Sequence, residues 1–142
     1  MRWWTGPVPR PLRTRPVSAG QIRACAGKAQ EFADAAISEL AAGRFIAASS
    51  LAVHAGINAA DAVCGARIGQ RAAGEDHRQV LVLLGEAGRD GAEVERELRR
   101  LLPLKTMAEY EPDDVAQSTA MKAVERAARC SQIAQRAANS LT

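Results

Sequence analysis

Aromatic side chains are scarce in this 142-residue chain, at 4% of the total. Trp3 and Trp4 both stand at the N-terminus, which leaves Phe32, Phe45 and Tyr110 for the rest. So few aromatics argue against a β-sandwich or a parallel-sheet enzyme, whose strands draw on such residues. Cysteine is also sparse. Cys25, Cys64 and Cys130 are odd in number and lie far apart, with no CxxC pair. That excludes a disulfide scaffold and a zinc ribbon and leaves small buried hydrophobes. No metal or cofactor site is expected. There is no run of 18 or more apolar residues, so no membrane span is expected. The N-terminus is basic but lacks the apolar core of a signal peptide, and the expected location is cytoplasmic.

What the chain does have is alanine, at 30 positions. Alanine is the strongest helix former, and an all-α fold follows. The charge is +3, from 19 basic and 16 acidic residues, with a pI near 9.1. Its distribution is uneven. Residues 1–17 hold Arg2, Arg10, Arg13 and Arg15 and no acid, so the remainder is close to neutral. The same segment holds Pro7, Pro9, Pro11 and Pro16. Proline at that density suits neither helix nor central strand, so residues 1–17 read as a disordered basic arm. Residues 18–140 read as one helical domain.

Ser18-Ala-Gly-Gln21 is a capping-box pattern that opens the first helix. Ile22, Cys25, Ala29, Phe32, Ala36 and Leu40 mark its face, and Gly43 ends it. A second helix, from about Arg44 to Ile68, is apolar on nearly every side and belongs at the centre of a bundle. Gln70–Asp76 reads as a loop, and a short third helix starts near Asp76. Asp90-Gly-Ala-Glu93 is a second capping-box pattern, opening a helix with a Val94, Leu98, Leu101 and Leu102 stripe. Pro103 should kink or end it, with Leu104–Tyr110 continuing as a further turn or two. The charged run Glu93–Arg100 reads as its solvated face. The last helix runs to about Asn139, with Val115, Met121, Val124, Ala128, Ile133 and Ala137 buried. The expected architecture is an up-and-down four-helix bundle with a short extra helix.

Two features bear chemistry. His54, Asn58 and Asp61 share a face of the apolar second helix, and Arg67 and Arg71 are read as extending it. Buried, such groups need hydrogen bonds, and the stripe is either a packing network or a cleft lining. The second feature is the stretch Arg67–Arg78, with its arginines, Gly69, Gly74 and His77. A helix N-terminus lowers the pKa of His77, while Glu75 and Asp76 raise it. A histidine near neutrality can take the proton of a ribose 2′-hydroxyl. Arg71 and Arg78 can stabilise charge on the phosphate. The alternative is a solvated loop with Asp76 as helix cap. Tyr110 reads as a packed ring near this region, and Trp3 and Trp4 as exposed side chains.

The chain resembles the HEPN (higher eukaryotes and prokaryotes nucleotide-binding) domain. Arg71 and His77 match its R-x(4–6)-H pattern, placed between a long Ala-rich helix and a short Leu-rich one. Ser50–Ala62 and the L-K-x-x-A-x-Y run ending at Tyr110 are similar to HEPN segments too. The resemblance covers about residues 20–138. It implies a helical bundle that forms a homodimer, with Arg71 and His77 catalytic in a metal-independent, toxin-like endoribonuclease acting across a dimer cleft. Arg67, Arg78, Asp61, Asn58 and His54 would bind substrate. It also implies RNA or a nucleotide as ligand, and an antitoxin or nucleotidyltransferase as partner. Ala72 stands where the family often has a polar residue. That favours the alternative, a non-catalytic bundle that binds a nucleotide or a partner protein.

Overall fold

The computed structural model describes residues 12–74, 76–111 and 114–141, with the side chains of Glu109 and Tyr110 left out. The expectations for Trp3, Trp4, Glu75 and the Tyr110 ring fall outside the described part. The fold is all-α, apart from one small ribbon. Its helices are α1 (Ala19–Ala41), α2 (Phe45–Ile68), α3 (His77–Leu84), α4 (Gly88–Tyr110) and α5 (Gln117–Asn139). Strands β1 (Thr14–Pro16) and β2 (Gln70–Ala72) pair antiparallel.

The helix ends follow from local chemistry. Ser18 caps α1 with a complete capping box. Its Oγ accepts from the Gln21 N–H at 3.1 Å, and the Gln21 side chain accepts from the Ser18 N–H at 2.9 Å. Gly69, at φ 70°, ends α2 in the left-handed region that a glycine enters without strain. Asp76 caps α3 by accepting from the Arg78 N–H at 3.0 Å. The second capping box is not formed. α4 starts at Gly88, before Asp90, and Asp90 points instead at two arginines. Pro103 does not end α4, which continues to Tyr110.

The end of the arm is not disordered. Arg15 pairs with Arg71, flanked by a Val17 N–H to Gly69 carbonyl bond of 3.2 Å and an Ala73 N–H to Arg13 carbonyl bond of 2.9 Å. This alternation puts Pro16 where the ladder uses no N–H, so its missing donor costs nothing. Arg13 also donates its N–H to the Gln79 carboxamide at 3.4 Å. The arm thus clasps the segment after α2, which the sequence alone reads as a free loop.

α2 is the core helix and packs against α1, α3, α4 and α5. Small residues let the helices approach closely. A Cβ on Gly56 would lie 2.8 Å from Leu101 Cδ1, and one on Gly65 would lie 2.7 Å from Ile22 Cγ1. By length and composition α2 is apolar enough to cross a membrane, but 56% of that window is buried inside the protein, as in a core helix. On α5 the buried face belongs to alanines 120, 123, 127, 134 and 137 with Val124, Cys130 and Ile133. Met121, expected inside, is 43% exposed. Cys64 and Cys130 are buried, and burial pushes both thiols up to about 12.

One ion cluster ties three helices together. Asp90 accepts from Arg67 of α2 at 2.6 and 3.1 Å, and from Arg136 of α5 at 2.9 Å. Burial alone would raise the Asp90 pKa. The two arginine hydrogen bonds, with the guanidinium charges, outweigh it and hold the carboxyl below its ordinary value. The stabilisation is therefore present above the unfolded carboxyl value and fades as pH falls through the lower folded one. Replacing Asp90 with Ala takes the carboxylate from Arg67, while the exposed Arg136 keeps Glu93 at 4.0 Å. The expected loss is about 1–2 kcal/mol by urea denaturation at pH 7, shrinking below about pH 4.

Candidate functional site: a polar strip on α2

α2 is buried around most of its circumference. The partly open positions include Ser50, His54, Ile57, Asn58 and Asp61, which lie along one strip. The polar stripe is therefore half-buried at the edge of the core. Asn58 donates its amide N–H to the His54 carbonyl at 2.9 Å. The His54 ring lies 5.4 Å from the Phe32 ring of α1, tilted by 32°.

Asp61 carries a buried charge without a direct partner. Among the described residues it makes no hydrogen bond or ion pair. Burial raises its pKa to about 6, and the nearby Arg71 charge offsets only part of this. The thiol of Cys25, on α1, is raised by burial and then by Asp61, and lowered by Arg71. Asp61, Arg71 and Cys25 therefore share one neighbourhood where α1, α2 and the ribbon meet.

The ribbon explains the position of Arg71. Ala72 is 6% exposed and anchors β2 in the core, so Arg71, its neighbour, projects to the other face. Its guanidinium makes no hydrogen bond or ion pair among the described residues. Arg15 stands directly across the ladder, on the same face of the ribbon. Like charges directly opposite destabilise a strand pair, and an anion between them would relieve this. Arg15 lies outside every motif in the sequence and was assigned to the free arm. Only the strand register reveals it.

His77 is the first residue of α3 and half-buried. Lys105 of α4 lies against it, with Nζ 3.3 Å from Nε2. The His77 pKa is lowered, first by burial and then by the Lys105 charge. Asp76 opposes that shift, and His54 adds to it. His54 of α2 is thus near enough to act on His77, as Arg71 is to act on Asp61.

The structure does not bring all the expected cations to this strip. Arg67 lies about 240° round the helix from Asp61, because six residues are not a whole number of turns. It is committed to Asp90 and to the Ser140 hydroxyl at 3.2 Å. Arg78 is exposed and folds back on Asp76 at 3.2 Å, toward solvent. Arg67 and Arg78 thus leave the site, and Arg15 and Lys105 enter it. An apolar groove of about 810 Å³ continues the strip, with Phe45, Ile46, Ser50 and Ala108 in its lining. Ser50 is one turn before His54, and Ala108 about one turn after Lys105. The groove lining holds no histidine or lysine among the described residues. No group of three or more metal-ligating side chains is found among the described residues.

No protein-family model matches the chain, and no curated protein matches it. The reading of the site therefore rests on its geometry and chemistry.

The Asp61 carboxylate offers a direct check. Its folded pKa exceeds the unfolded value of about 4, so stability from this group is complete below that value and is lost as pH rises through about 6. Asp61→Asn should stabilise the protein by about 1–3 kcal/mol at pH 7.5, measured by urea denaturation. The difference should vanish near pH 4.

Proposed function

We propose that the strip is the active site of a metal-independent endoribonuclease of the HEPN type. The observation that supports this reading is that a partly open strip of α2 has Arg71 near Asp61 at one point and His77 near His54 two turns away. His77, kept neutral by burial and nearby charge, takes the proton of a ribose 2′-hydroxyl. The 2′-oxygen bonds to phosphorus as the bond to the 5′-oxygen breaks. That oxygen receives the proton, leaving a cyclic phosphate and a 5′-hydroxyl. Arg71 and Arg15 face the charge that builds on the phosphate oxygens. The adjoining groove offers apolar surface for a base.

The rest of the proposal follows the family resemblance. The helices form an up-and-down four-helix bundle, with α3 as the short extra helix. Two copies form a homodimer with paired sites across a cleft. The protein acts in the cytoplasm as a toxin-like module, checked by an antitoxin or a nucleotidyltransferase.

A second reading has its own observation. Lys105 occupies the Nε2 atom that a general base needs free, which suits a protein that binds a nucleotide without cutting it. RNA cleavage decides between them. In EDTA the purified protein should release fragments with cyclic phosphate and 5′-hydroxyl ends. His77→Ala and Arg71→Ala should each reduce the rate at least about 100-fold. Undiminished cleavage by both variants would remove the assignment. Nucleotide binding with no cleavage would favour the second reading.

A further inference from the structure

Lys105 takes no part in the R-x(4–6)-H motif, yet it makes the closest polar contact to His77. It projects from α4 two residues beyond Pro103 and is half-buried. Among the described residues its only hydrogen-bond partner is His77 Nε2, and no carboxylate pairs with it. An ammonium has three donors and no acceptor. The contact therefore requires a lone pair on Nε2, which puts the imidazole proton on Nδ1. A partly buried cation with an imidazole as sole partner is an unfavourable arrangement. An anion at the strip would give the ammonium a stronger acceptor, since charge-assisted bonds exceed neutral ones.

We propose that Lys105 is a positioning residue with two partners. In the empty site it holds His77 as the neutral Nδ1–H tautomer. When a phosphate group enters, the ammonium passes to a phosphate oxygen and frees Nε2. This rests on the phosphate-directed reading of the strip and adds a gate to it, because the base is uncovered only when substrate is bound. The charged and titratable groups that act on His77 are Lys105 from α4, Asp76 from the turn before α3 and His54 from α2. Of the groups that act on His77, Asp76 favours the imidazolium and His54 opposes it.

The test compares full-length wild type with Lys105→Met, which keeps the stem and removes the charge, and Lys105→Arg, which keeps the charge. Proton and nitrogen NMR of the His77 ring gives its titration midpoint and tautomer without reference to catalysis. The midpoint should rise in Lys105→Met and stay with wild type in Lys105→Arg. Inorganic phosphate, titrated against each protein, should bind Lys105→Met about tenfold more weakly and shift the His77 nitrogen signals of wild type. A midpoint unchanged in Lys105→Met, or phosphate bound with wild-type affinity, overturns the proposal. If those shifts appear but RNA is never cut, the two-partner role stands and the ribonuclease reading falls. Matching melting temperatures for the variants exclude a loss of fold as the cause.

Discussion

Everything in this fold depends on the burial of α2. A helix made largely of alanine and small aliphatics gains little per residue, so it must be covered on many sides to hold together. Alanine and glycine permit that, because neighbouring backbones can come close. α1, α4 and α5 pack on it, and α3 and the ribbon touch it as well. A partly open strip then becomes a place where polar side chains can stand. His54, Asn58 and Asp61 occupy it at helical spacing. The scaffold and the site are thus two sides of one packing arrangement.

The same arrangement sets the electrostatics. On the edge of the core, Asp61 is desolvated enough to resist ionisation, and Arg71 only partly compensates. His77 is desolvated and crowded by Lys105. Asp90 shows the opposite outcome. It too is buried, but two arginines bond to it directly and hold it ionised. One carboxylate is part of the framework, tying three helices. The other stands at the strip with its burial only partly offset.

The broad fold was legible in the sequence because its signals are local. Alanine content, the Ser18 capping box and the glycines after α1 and α2 each act within a few residues. The Arg71 and His77 pair was legible as a spacing, and the stripe as a period. What escaped was non-local or turned on a partial turn of helix. Arg15 looked like part of a free arm, and only its register with Arg71 places it at the site. Lys105 is 28 residues from His77, with nothing in the sequence to join them. Arg67 was read onto the wrong face because the drift of the helix over six residues was not counted. Asp90 has the spacing of a cap, yet two distant arginines won it. The buried face of α5 was misread because alanine, which carries it, attracts no notice beside Met121.

The central claim is that anions bind on the α2 strip and nowhere else among the sequence-designated cations. Its most direct test is side-chain NMR during titration with a 2′-deoxy dinucleotide, which has no 2′-hydroxyl to react. The account predicts shifts at Arg15, Arg71, His54, His77 and Lys105, with Arg67 and Arg78 unmoved. Shifts centred on Arg67 or Arg78, or none at the strip, would contradict it.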